Sequence, residues 1–412
     1  MHFQLSVSAA TILRMNDDHQ TSQHKDAHKH SEDNSPISKW EHGAGSAVVS
    51  HHGKHKWWPP RMPRTKKQWI ITIVVLVLLL GGGGVVAYKI THKAKPKTVT
   101  KQITKKPSTK PPIQPITSTL TGLPISDSAV NDKPVTAVMI ENSQSARPQS
   151  GLDQAGVVFE AVAEGGITRF VALFQDSAPD YIGPVRSVRP YYIQWLMGFD
   201  AAVAHVGGSP EALQDLKSWG AKDLDQFANG SYYHRISSRA APHNVYTSMA
   251  NLNELEAKKG FGKPNYSGFA RKAASPSAAP NATSIDFAIS SALYNSHYDY
   301  DKTTNSYKRS EGGAAHMSVN SAGAQTQNTP KVVIGLVMPK GIEADDLHTS
   351  YNTLGSGQAY IFQDGTVTVG TWHKANNVTN FTFTDPNGAE VKLNPGQTWL
   401  TALGSASSVS YK

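Results

Sequence analysis

Twenty consecutive uncharged residues, WIITIVVLVLLLGGGGVVAY from Trp69 to Tyr88, constrain this chain more than any other feature. At about 1.5 Å per helical residue they reach roughly 30 Å, the thickness of a bilayer's hydrocarbon core. The run is too long and too far from the start for a cleaved signal peptide, so it reads as one permanent transmembrane helix. Trp69 and Tyr88 close it as interfacial aromatics. Gly81 to Gly84 weaken the helix without forbidding it, because inside lipid the backbone has no other partner.

The net charge of +9 hides two different regions. Residues 1–118 carry 18 Lys and Arg against 6 Asp and Glu, a net of +12, whereas residues 119–412 carry 22 against 25, a net of −3. The basicity therefore belongs to the membrane flanks and linker, and nucleic acid is not an expected partner. Lysines and arginines flank the run on both sides and barely decide its orientation. The large folded part that follows one internal anchor places the C-terminal side outside the cytoplasm. Cysteine is absent, which excludes disulfides, thiol nucleophiles and Cys-ligated metals. It equally excludes lipid attachment through an N-terminal cysteine. No cofactor and no metal site is expected.

The organisation expected is α+β: a mixed α/β N-terminal domain followed by a β-rich C-terminal domain, preceded by the transmembrane helix. Residues 1–68, with nine histidines between His2 and His55, read as a disordered cytoplasmic tail of solvated side chains, with a metal-binding tail as the sharper alternative. Residues 69–88 span the membrane. Residues 89–118 are a Lys/Thr/Pro-rich linker, extended by proline and self-repelling lysines.

Residues 119–272 form the mixed domain. Val135 to Glu141 reads as a buried strand, and Gly156 to Gln175 as a hairpin turning at Gly165-Gly166. Pairing Glu164 with Ile167 there puts Glu160, Val162 and Glu164 on one face, with Arg169 diagonally between the two glutamates. Pro190 to Met197 reads as a helix. Ala201 to Val206 reads as a strand leading into a second helix, Ser209 to Trp219, with Leu213, Leu216 and Trp219 as its buried stripe. Residues 273–412 read as strands, with hairpin turns at Asp364-Gly365 and Asp385 to Gly388. They form either a second domain or the β-rich half of one large domain.

No standard catalytic signature occurs. Four polar clusters at strand ends and loops remain: Glu141, Asn142 and Arg147; Glu164 and Arg169; Arg186, Ser187 and Arg189; and His205 with His234, Arg235, Arg239, His243 and Asn244.

The segments carrying these clusters, ARPQSGLDQAGVVFEAVAEGGITRFVALF, IGPVRSVRPYY, HVGGSP and RAAPHN, occur in an order that resembles the YerB-like family of bacterial envelope lipoproteins. YDYDKTTNSYKRSEGG, GQAYIFQDGTVTVGTWHKA and LNPGQTWL continue the resemblance, which covers roughly residues 120–405. It implies two adjoining domains of unknown molecular function tethered outside the membrane, with no established catalytic residues. Two departures stand out. The family's anchor is a lipobox cysteine, which this chain lacks. Its second-domain pattern Tyr-x-Arg, Gly and His-x-Asp is met by Tyr307, Arg309 and Gly313, but His316 is followed by Met317 and Ser318.

Two function classes follow. The first is a binding module in which Arg147, Arg169, Arg186, Arg189, Arg235 and Arg239, with Glu164, His205, His243 and Asn244, converge near Gly207-Gly208 and the helix start at Ser209. Arginine forks and free helix N–H groups suit a carboxylate or phosphate. Cell-wall polymers or peptidoglycan peptides are the expected partners beside the membrane itself. Arg186 and Arg189, three residues apart at a helix start, are the expected core. The competing expectation is that each arginine pairs with a local carboxylate such as Glu160, Glu164 or Asp153. The second class is a hydrolase of envelope glycans or peptides, with Glu141, Glu164, His205 or His243 as acid or base. Glu160 and Glu164 on one strand would lie about 13 Å apart at roughly 3.3 Å per residue, beyond the roughly 5–9.5 Å a glycosidase pair needs.

Overall fold

A strand that is apolar at every residue must be covered on both faces, and that requirement explains the architecture. The computed structural model describes residues 115–412 and, before them, Ile70, Ile73 and Val74. The remainder of the apolar run, the histidine-rich tail and most of the basic linker lie outside the described residues. Among the described residues no helix is long and apolar enough to cross a membrane.

The N-terminal half supplies β1 (Thr136–Glu141), β2 (Val157–Glu164), β3 (Ile167–Phe174), β4 (Ala202–Ala204), β5 (Lys222–Asp223), β6 (His234–Arg235) and β7 (Val245–Tyr246). The C-terminal half begins with β8 (Ser284–Phe287), β9 (Ser296–Asp301), β10 (Ser306–Glu311), β11 (Ala314–Ala315), β12 (Met317–Val319) and β13 (Gln325–Gln327). It continues with β14 (Val332–Val337), β15 (Lys340–Ile342), β16 (Thr349–Tyr351), β17 (Gly355–Gln363), β18 (Thr366–Lys374), β19 (Thr382–Thr384), β20 (Thr398–Leu403) and β21 (Val409–Tyr411).

Ten of these strands form one mixed sheet in the order β19-β18-β17-β14-β20-β2-β3-β1-β4-β5. The two halves join inside it, where β20 runs parallel to β2 with Val157 opposite Thr398 and Glu160 opposite Thr401. The change of composition near residue 273 therefore does not interrupt the sheet. A second sheet has five strands in the order β11-β10-β9-β8-β21.

Helices α1 (Pro190–Met197) and α2 (Pro210–Ser218) cover one face. Tyr191, Tyr192, Trp195 and Leu216 pack there with Met139, Phe159, Val171, Ile334 and Leu400. Helix α3 (Met249–Lys259) covers the opposite face beside Ile140, Phe170 and Trp399. The five-stranded sheet covers the rest of that face, laying Ile285, Phe287 and Tyr298 against Val333, Phe362 and Leu403.

Local chemistry fixes the element ends. Pro190 and Pro210 occupy first-turn positions, where the missing N–H has no helical partner to lose. The Ser209 hydroxyl accepts Ala212 N at 3.3 Å. Gly165 and Gly166 take φ of 56° and 76°, the paired positive values that a two-residue hairpin turn requires.

Three features differ from the sequence expectations. Leu213 is 37% exposed, and the buried positions of α2 are Ala212 and Leu216. The helix α3 was not anticipated. In the β2–β3 hairpin Glu164 does oppose Ile167, but the register shifts between Val162 and Glu164, so Ala161 opposes Arg169 and Glu160 opposes Phe170. One bulge residue thus turns Glu160 to the face opposite Arg169.

Helix α3 also buries Glu256 completely. Thr136 Oγ1 donates to its Oε1 at 2.8 Å, and Oε2 has no hydrogen-bond partner. Burial pushes this carboxyl from its ordinary 4.5 up to about 7. The native state therefore holds the proton more tightly than the unfolded chain. The stability so gained is complete below the ordinary value and is lost as pH rises through the folded one. A gap of about 2.5 pH units corresponds to on the order of 3 kcal/mol. Between about pH 4.5 and 8, urea unfolding should show the native protein losing roughly that much relative to Glu256→Gln. Parallel pH profiles would contradict this reading.

Candidate functional site

The C-terminal end of β1, a central strand, is where polar residues from several segments meet. Glu141, its last residue, is 4% exposed. Its Oε1 accepts His243 Nδ1 at 2.8 Å and Ser143 Oγ at 2.9 Å, and Arg186 Nε lies 3.5 Å away. Its Oε2 is buried without a partner. Backbone bonds from Glu141 N to Pro184 O and from Arg186 N to Met139 O, both 2.9 Å, pin the Arg186 segment to this strand end. The Arg186 side chain is 26% exposed, and its two terminal nitrogens make no hydrogen bond among the described residues. The same holds for His243 Nε2.

Asn142, one residue on, turns to the opposite face. Its Nδ2 donates to Thr168 Oγ1 and Glu311 Oε1, both at 2.6 Å. Its Oδ1 accepts Gln149 Nε2 at 2.7 Å and Arg147 Nε at 3.1 Å. Arg147 lies 3.3 Å from Glu311 and stacks over the Tyr294 ring. Arg147, Glu311 and His316 line a cleft of about 260 Å³ together with Pro148, Ala315 and Met317. Burial pushes the Glu311 carboxyl up to about 7 against the opposing charge of Arg309.

Beneath the cleft Arg309 is wholly buried. It pairs with Glu160 at 2.8 Å, donates to His316 Nδ1 and stacks 4.7 Å from the Trp399 ring centre. His316 accepts at Nδ1 and meets Gln149 Oε1 at Nε2, 3.0 Å away, the pattern of a neutral imidazole. Burial and the Arg309 and Arg147 charges hold its pKa well below the usual value. Ser318, two residues beyond His316, is buried and bonded to Asn328 Oδ1 at 2.8 Å and Asp153 N at 3.2 Å.

The arginines expected to share one pocket divide between carboxylates. Arg169 and Arg189 each approach Glu164 at 2.6 Å, one on each oxygen. Their remaining contacts are backbone carbonyls, Ser187 O at 2.8 Å and Val188 O at 2.7 Å. Burial alone would raise the Glu164 carboxyl, but the two arginine charges outweigh it and hold it low. Arg186 instead faces Glu141, so the three-residue spacing does not bring it together with Arg189. The two clusters are neighbours all the same, because Glu141 and Arg169 are register partners across β1 and β3.

Arg239 donates to Ala146 O and Pro148 O and so braces the loop that carries Arg147. Arg235 donates to Asn244 Oδ1 at 2.7 Å, and Asn244 Nδ2 holds Ile236 O and Arg239 O at 3.3 Å. Those contacts shape the loop that presents His243. His205 is buried, with Nδ1 2.8 Å from Gly207 O and Nε2 3.0 Å from Asp223 Oδ1, so neither nitrogen is free for a ligand. Ser143, Gln149 and Glu311 were not singled out from sequence. Glu311 lies two residues beyond Arg309 on the same strand, and that alternation was the available signal.

These contacts separate the two central arginines. Arg186→Ala removes a partly exposed arginine that approaches Glu141 at 3.5 Å without a hydrogen bond, and should cost less than about 1 kcal/mol. Arg189→Ala leaves Glu164 with one of two partners and should cost about 2 kcal/mol, below the full loss expected for a completely buried pair. Chemical denaturation of both variants measures the difference, and equal losses would contradict the assignment.

Residues 120–262 match the model of the N-terminal domain of a protein family of unknown function, DUF3048, and residues 285–400 match its C-terminal domain. The chain is 30% identical over 295 residues to YerB of Bacillus subtilis, whose name describes a candidate lipoprotein; the match covers 70% of this chain and 86% of that protein. The crystal structure of the YerB protein from Bacillus subtilis matches with a TM-score of 0.64 at 27% identity, over 72% of this chain and 99% of that one. The chain therefore belongs to the YerB-like family and carries both of its domains.

Proposed function

We propose that this protein is a membrane-anchored, extracytoplasmic binding module that recognises an anionic ligand at the Glu141–Arg186–Arg147 site. The observation that carries the reading is the state of the arginines there. Arg186 and Arg147 are only partly exposed, yet each keeps guanidinium N–H groups without a partner among the described residues, and they flank the end of a central strand. A planar fork held in place with free donors suits a carboxylate or phosphate oxygen. The apolar run at residues 69–88 supports a single-pass anchor, and the name of the Bacillus subtilis relative supports a membrane-associated setting. Peptidoglycan peptides and anionic wall polymers carry the required groups.

The full chain should sediment with bacterial cell-wall sacculi. Arg186→Ala and Arg147→Ala should weaken that binding by about 10- to 150-fold, the equivalent of about 1.5–3 kcal/mol. Sacculi stripped of their anionic polymer separate the two ligand sources. Undiminished binding by folded variants would overturn the reading.

A second reading, hydrolysis, is favoured by the Glu141–His243 pair. Glu141 orients the ring through Nδ1 and leaves Nε2 open for a water, a general-base arrangement. Ser143 approaches the same Nδ1 at 3.3 Å, so the three residues do not form a nucleophilic triad, in which serine meets the nitrogen opposite the carboxylate. A zymogram decides between the readings: turnover lost in His243→Ala with binding retained supports hydrolysis.

A further inference from the structure

The β15–β16 hairpin, remote in sequence from every residue of the proposed ligand site, closes through residues 343–348 with Glu343 N donating to His348 O at 2.7 Å. It lies against β2, where Glu164 and His348 form an isolated antiparallel bridge. Glu343, Asp345 and His348 each offer one ligand atom, and these atoms all lie within 4.8 Å of one another. Asp345 is held by the loop itself: its Oδ1 accepts the N–H groups of Leu347 and His348, both at 3.0 Å. Its Oδ2 meets His348 Nδ1 at 2.5 Å and so orients the ring.

Glu343 is the unusual member. It is 5% exposed, and neither of its carboxylate oxygens, both buried, meets a hydrogen-bond donor. The Ser209 hydroxyl is a neighbour that favours the carboxylate weakly from beyond good hydrogen-bond geometry, while its oxygen accepts Ala212 N as the cap of α2. Of the nearby charges, Glu211 has the same sign, Arg189 is already bound to Glu164, and His348 is the ring that Asp345 holds. A carboxylate taken out of water with so few donors is strongly disfavoured unless a cation compensates it or it takes up a proton.

We propose that Glu343, Asp345 and His348 bind a divalent transition-metal cation of the zinc class. One imidazole nitrogen and two carboxylate oxygens make a donor set that zinc accepts, with a fourth position left for water. An all-oxygen cluster would have suited calcium or magnesium instead. Metal bonds of about 2.0–2.2 Å place the ligand atoms roughly 3.5 Å apart, farther than the present Asp345–His348 contact of 2.5 Å and within the 4.8 Å spread of the cluster. Rotation of the accessible Asp345 and His348 side chains achieves this, exchanging their mutual hydrogen bond for the metal. The site does not depend on the ligand reading of the Glu141–Arg186–Arg147 site.

The full chain in detergent, stripped with a chelator and dialysed against zinc alone, tests the proposal. The nine N-terminal histidines offer competing zinc ligands, so the informative quantity is the difference between native and variant chains. Glu343→Gln, Asp345→Asn and His348→Gln should each lose one equivalent of bound zinc or weaken it at least about 10-fold, while calcium shows no such difference. Zinc should also raise the melting temperature of the native chain more than that of each variant. Asp345→Asn keeps the acceptor that organises the loop, so it remains informative even if Glu343→Gln fails to fold. Equal zinc content, affinity and melting shift in native and variant chains would assign all the zinc to the tail and overturn the proposal.

Discussion

One buried ion pair links the two sheets. Arg309 of β10 reaches from the five-stranded sheet to Glu160 of β2, 2.8 Å away and with neither side chain exposed. Taking two charges out of water costs several kcal/mol per ion and is tolerated only when the remaining donors are also used. Arg309 meets that condition: Nε donates to Tyr298 Oη at 3.2 Å, Nη1 to His316, and the guanidinium lies over Trp399 of β20. Burial works against the charge, yet the Glu160 carboxylate outweighs it and raises the arginine pKa above its usual range. The pair thereby ties β10 to β2 directly and to β20 through the Trp399 ring.

The candidate ligand site inherits its shape from that contact. Glu311 follows Arg309 along β10 and bonds Asn142 at the end of β1, so the wall of the cleft comes from one half and its rim from the other. Gln149 joins the two layers, donating to Asn142 and contacting His316. On the opposite face Glu164 uses both oxygens on the terminal nitrogens of Arg169 and Arg189, which leaves Arg186 and Arg147 beside the strand end with terminal N–H groups unbonded among the described residues.

Features set by local chemistry were legible in the sequence. Pro190, Ser209 and Gly165-Gly166 mark helix starts and a turn, because the residues that satisfy those ends are sequence neighbours. The bulge between Val162 and Glu164 was not legible: no glycine or proline marks it, and the register is set by pairing with both β3 and β20. With it went the partner of Arg169 and the facing of Glu160. Helix α3 escaped notice because its buried side, Met249, Leu252 and Leu255, includes the charged Glu256. The polar clusters were located correctly as loops and strand ends, yet their pairings depend on contacts across more than 100 residues, as between Glu141 and His243.

The central claim is that Glu160 and Arg309 act as one unit joining the halves. A double-mutant cycle with Glu160→Gln and Arg309→Met, read by urea denaturation of the full chain, tests it most directly. Each single change should cost about 3–5 kcal/mol, because it strands a buried charged or polar partner, and the double change should cost clearly less than the sum. Losses below about 1 kcal/mol, or singles that simply add, would contradict the account.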